Sequence, residues 1–94
     1  VPIDPNTGGI VDGNFKERVR RVMNNLKSIL EEAETNLSHV TKFTVFLTDI
    51  SNYAEVNEVF SEFINDNEAP ARSLIEVSSL PAGADVEIDC IASF

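Results

Sequence analysis

The chain has 94 residues, 43% hydrophobic and 24% charged, with 16 acidic side chains against 7 basic ones and a formal charge of -9. This describes one small domain, residues 1–94, whose thin core is expected to gain burial by oligomerisation. The negative charge repels phosphate backbones and anionic lipid, which disfavours nucleic-acid and membrane-surface roles. A single cysteine, Cys90, excludes an intrachain disulfide, and with His39 as the only histidine it also excludes a standard zinc site.

Val1 to Gly13 holds Pro2, Pro5, Gly8, Gly9 and Gly13, turn chemistry that predicts a loop with a short hairpin. From Asn14 apolar residues recur three and four apart at Phe15, Val19, Val22, Met23, Leu26, Ile29, Leu30 and Ala33. They predict an amphipathic helix of about five turns. Asn14 with Glu17 three positions on has the form of a capping box, and Asn36 marks the expected end. Lys16, Arg18, Arg20 and Arg21 crowd this helix and read as a solvated face.

Val40 to Leu47 is rich in Thr, Val and Phe. It predicts a strand with Phe43, Val45 and Leu47 on one face and Lys42, Thr44 and Phe46 on the other. A second helix is expected from Asn52, with Glu55 three later and a buried stripe of Tyr53, Val56, Phe60, Phe63 and Ile64. Asn57 falls on the side of that stripe, where its amide is either a structural tie to a loop or a ligand contact. A polar loop from Asn65 to Pro70 leads into a strand Ala71 to Leu80, and Pro81 to Ala84 turns the chain into a last strand, Asp85 to Phe94. The order of elements predicts an α+β domain with two helices on one face of a mixed sheet.

Nucleophilic triads are not credible here, because His39 lies in a polar turn and Cys90 in an alternating strand. The Gly8-Gly9 pair has neither a preceding strand nor a P-loop lysine. Arg72 is different, since a strand entrance just after Pro70 orders its planar fork of donors, which suits a carboxylate. Glu87 sits between Val86 and Ile88, where partial burial suits an acid or base. The alternative reading of the two is an ion pair that ties two strands.

Several segments taken together resemble the Rid family, also called the YjgF or reactive-intermediate deaminase family. They are Val1-Pro2-Ile3-Asp4-Pro5-Asn6-Thr7-Gly8, Asn24-Asn25-Leu26, Val45-Phe46-Leu47-Thr48-Asp49-Ile50, Val56-Asn57, Pro70-Ala71-Arg72-Ser73, Leu80-Pro81 and Val86-Glu87-Ile88-Asp89-Cys90-Ile91-Ala92. The resemblance implies a chorismate-mutase-like α+β fold, a homotrimer with sites between neighbouring subunits, and hydrolysis of 2-imino acids to 2-oxo acids and ammonia. By the same resemblance Arg72 holds the substrate carboxylate, Glu87 serves the attacking water, and Asn57 lies near the pocket. No metal or organic cofactor is implied, and neither nucleic acid nor membrane is an expected partner.

Family members carry a further segment ahead of the position of Val1, with a strand pair, a pocket tyrosine and a Ser-Gly-Gln run. Without that pair a sheet edge stands open. Leu74 stands where many deaminating members have a cysteine, and Arg18 where relatives often have glutamine. The expected compartment is the cytoplasm, or the mitochondrion if a transit segment precedes Val1.

Overall fold

The computed structural model describes residues 1–10, 13–65 and 69–94. Val11 and Asp12 of the expected front loop, and Asp66, Asn67 and Glu68 of the loop before Pro70, lie outside the described residues. The elements run α1 (Phe15–Glu32), β1 (Val40–Leu47), α2 (Tyr53–Phe63), β2 (Ala71–Glu76) and β3 (Val86–Ala92). Three strands form one sheet in the order β2-β1-β3, with β1 parallel to β2 and antiparallel to β3. The parallel pair is joined through α2, the crossover that parallel neighbours require. Two helices on one face of a mixed sheet is the predicted architecture.

Local chemistry sets the ends of the elements. Asn14 accepts a hydrogen bond from the Glu17 backbone N–H at 2.9 Å and starts α1, but the Glu17 side chain makes no return bond to the Asn14 N–H, so only half of the expected box forms. α1 stops earlier than expected, at Ala33. Glu34 takes a left-handed backbone (φ 65°), its N–H reaching the Glu31 carbonyl and that of Thr35 the Leu30 carbonyl. These two bonds are a Schellman closure built without the usual glycine. Asn36 instead caps the short 3-10 turn Leu37–His39 through the Ser38 N–H.

The expected cap at Asn52 does not form, as that side chain makes no capping bond. Asp49, three residues earlier, caps the turn Ile50–Asn52 that leads into α2, and the Ser51 hydroxyl and backbone N–H hold its carboxyl below the ordinary range. The front loop closes as a small hairpin through an Ile3–Ile10 bridge, and Asn25 of α1 donates to the Ile3 carbonyl at 2.8 Å.

The core lies between the helices and one sheet face. Val19, Met23, Phe43, Val45, Leu47, Val56, Val59 and Val86 are sealed in it. Each such side chain contributes on the order of 1.5–3 kcal/mol of transfer free energy before entropy is counted. Three expected stripe members are outside, Ile29 at 60% and Tyr53 at 55% exposed with Ala33 also exposed, while Val59 replaces Tyr53. Helix periodicity counts both ends of a broad stripe, but a three-stranded sheet covers only its middle. β2 and β3 are also shorter than the expected Ala71 to Leu80 and Asp85 to Phe94. Pairing with β1 ends at Glu76 on one side and spans Val86 to Ala92 on the other.

The basic cluster of α1 is not simply solvated. Lys16 pairs with Glu58 and Arg20 with Glu62, both across to α2. Arg18 grips Asp85 through Nε and Nη2 and also donates to the Gly13 carbonyl. His39 is exposed, as expected, but its Nδ1 lies 3.0 Å from the Thr35 hydroxyl, which itself donates to the Ser93 carbonyl. Since the hydroxyl has one proton, His39 Nδ1 is the donor in that pair. Cys90 packs at the core margin, where burial, with the Asp89 charge beside it, pushes its thiol up.

Candidate functional site: a cleft between α2 and the entrance of β2

In the β1–β2 ladder Arg72 stands opposite Phe43 and Leu74 opposite Val45, which puts the arginine on the helix-covered face. Its guanidinium carbon lies 4.8 Å from the centroid of the Phe60 ring, on α2. Phe60 in turn meets Phe43 edge to face, with centroids 5.1 Å apart and planes at 76°. Among the described residues no carboxylate pairs with Arg72, which remains solvent-accessible.

A cleft of about 460 Å³ opens here, lined by Phe43, Asn57, Phe60, Ser61, Ile64, Ala69, Pro70 and Arg72. That volume suits a small organic molecule. Asn57, Phe60 and Ser61 are three and four apart, so one face of α2 forms a wall. The Asn57 amide is exposed and makes no hydrogen bond among the described residues, so no loop tie is visible. Leu74 is half-buried against the core and is not part of the lining.

Glu87 is elsewhere in the single chain. It pairs with Phe46 in the β1–β3 ladder, and its neighbours Val86 and Ile88 are buried on the helix side. Alternation therefore turns Glu87 to the uncovered face of the sheet. An Arg72–Glu87 tie between strands is ruled out within one chain, because β1 lies between β2 and β3 and the two residues occupy opposite faces. The structure thus brings Arg72 and Asn57 together and leaves Glu87 half-buried beside Thr44, Phe46, Ile75 and Asp89.

Sequence reasoning took Phe43 and Phe60 only as core. Their role at the cleft carries no sequence signal, because a ring that floors a pocket has the same spacing as one that fills a core. Among the described residues no cluster of His, Cys, Asp and Glu has a metal-holding arrangement, and no helix is long and apolar enough to cross a membrane.

A family model described as endoribonuclease L-PSP matches residues 1–94. The solved structure of RidA from the Antarctic bacterium Psychrobacter sp. superposes with a TM-score of 0.93 at 40% identity, covering 99% of this chain and 74% of that one. The chain belongs to the Rid family.

A RutC family protein of Pyrococcus abyssi is 48% identical to this Rid domain over 92 residues, covering 98% of the chain and 72% of the relative. TdcF from E. coli, whose structure holds bound serine, is 34% identical with a TM-score of 0.87, covering 97% of this Rid domain and 72% of TdcF. The resemblance read from the motifs is therefore a family membership, and the α+β fold is that of solved Rid structures.

Proposed function

We propose that this Rid domain hydrolyses 2-imino acids, such as 2-iminobutanoate and 2-iminopropanoate, to 2-oxo acids and ammonia. The observation that carries the reading is an accessible arginine, free of any carboxylate among the described residues, at a small cleft it shares with an exposed asparagine amide. A guanidinium in that state is a carboxylate receptor, gripping both oxygens through parallel N–H donors. The presence of a bound amino acid in TdcF supports a ligand of that size and charge.

In the proposed reaction Arg72 holds the carboxylate and Asn57 steadies the substrate beside it. Glu87 takes a proton from water as the oxygen attacks the imine carbon, breaking the C=N π bond to give an amino alcohol. It returns the proton to the nitrogen, the C–N bond breaks, and ammonia leaves as the hydroxyl gives up its proton to Glu87 and the C=O bond forms. A protonated imine is already electrophilic, so positioning does much of the work. Since Glu87 and Arg72 face opposite sides of one sheet, the Glu87 of this site belongs to a neighbouring copy, and the working unit is a homotrimer with shared clefts.

The test is 2-oxo acid release from a 2-imino acid generated in situ, against the uncatalysed rate. Arg72→Ala and Glu87→Gln are each expected to lower kcat/KM by roughly 10²-fold. Equal rates with and without the protein would overturn the reading. A second reading is a small-carboxylate-binding trimer without turnover, favoured by the absence of a base beside Arg72 among the described residues of the single chain. Calorimetric binding of 2-oxobutanoate with no imine hydrolysis would select it. The endoribonuclease description of the family model raises RNA cleavage, which the charge of -9 opposes. RNA cleavage abolished by Arg72→Ala would reverse that order.

A further inference from the structure

We infer that Phe60 is a positioning residue for Arg72, its ring face holding the guanidinium at the cleft without engaging it with an acceptor, so that its N–H fork is left for a carboxylate. The inference rests on the reading of Arg72 as the carboxylate anchor and adds what aims that anchor.

Three arginines of this chain show the contrast. Arg18 spends Nε and Nη2 on Asp85, and Arg20 spends the same two atoms on Glu62. That edge is the one a bidentate ligand would need. Arg72 has no such partner among the described residues, and the contact that holds it is the Phe60 ring at 4.8 Å. A ring attracts the cation through its own face and occupies no N–H group with a hydrogen-bond acceptor. Orientation is therefore achieved without consuming donors.

The ring is itself fixed. Phe60 is 4% exposed, and the edge-to-face contact with fully buried Phe43 sets its plane. Phe43 is also the register partner of Arg72, so arginine, ring and brace come from β2, α2 and β1 respectively. A long side chain ordered in this way loses rotamer freedom on folding rather than on binding, which favours affinity.

The test compares Phe60→Leu, which removes the ring face, with Phe60→Tyr, which keeps it. Each is measured for KM and kcat in imine hydrolysis and for 2-oxobutanoate affinity by calorimetry. Phe60→Leu is expected to raise KM and Kd about three- to tenfold with kcat changed less than about twofold, and Phe60→Tyr to restore both. No change in Phe60→Leu, or equal losses in both variants, overturns the inference.

A second measurement leaves Phe60 unaltered. The Arg72 Nε–Hε resonance, assigned by its disappearance in Arg72→Lys, is expected upfield of the free-arginine position through the ring current. A free-arginine shift overturns the inference whether or not the Phe60 variants fold. If Arg72→Ala binds 2-oxobutanoate normally, the anchor reading itself fails; if Arg72→Ala weakens binding and Phe60→Leu does not, only the positioning role does.

Discussion

Single residues carry two opposed uses of backbone and side-chain freedom here. Glu34 adopts the left-handed conformation that closes α1, a place where a Cβ is a burden and glycine is the usual occupant. Glu34→Gly is therefore expected to stabilise the domain by about 0.5–1 kcal/mol, read as a higher denaturant midpoint at unchanged slope. A lower midpoint would mean that the Glu34 side chain contributes an interaction that outweighs the strain. At the cleft freedom is restricted instead, since Arg72 is held by an aromatic face and Asn57 presents an unengaged amide. Both residues were legible in the sequence, Arg72 from its place after Pro70 and Asn57 from its place on a helix stripe. Phe60 was legible only as core, because what distinguishes it is a neighbour from another element.

At the scale of elements, ion pairs decide how the helices meet the sheet. Arg18 joins α1 to the start of β3 through a largely shielded two-point contact with Asp85, 67 residues away, and also holds the Gly13 carbonyl. This contact raises the Arg18 pKa, through the hydrogen bonds to Asp85 first. Arg18→Gln keeps a polar side chain and loses the fork, so it is expected to cost roughly 1–2 kcal/mol. The Arg20–Glu62 pair is exposed and its loss is expected to be near neutral. Chemical denaturation of the two variants checks the ranking, and equal losses would contradict it. The sequence reading took all four basic residues as solvated and held no information about the partners of Lys16 and Arg20 in α2 or of Arg18 at the entrance of β3.

For the whole molecule, the second face of the sheet carries no helix among the described residues. Thr44, Phe46, Ser73, Ile75, Glu87 and Ile91 lie there, with Ile75 43% and Ile91 64% exposed. The proposed shared site requires Glu87 of one copy to approach the Arg72 cleft of another. A solution mass of three chains is expected by light scattering, and Ile75→Lys is expected to shift it downward with loss of imine hydrolysis. Full activity in a monomeric Ile75→Lys variant would remove the shared site. A charged residue on an apolar contact face opposes burial strongly enough to make this variant decisive.

The order of the elements, the cap at Asn14, the parity of β1 and the candidacy of Arg72 and Asn57 were set by the sequence itself, because they depend on local periodicity and on motif chemistry. The face of Glu87 was equally local, since Val86 and Ile88 flank it in clean alternation. The face of Arg72 was not, because Leu74 and Ile75 are both apolar and leave the parity of β2 open. Only pairing with β1 places Arg72 opposite Phe43, over the Phe60 ring, and on the side away from Glu87. That separation arises from which strands neighbour β1 and in what register, and a register is a relation between distant segments.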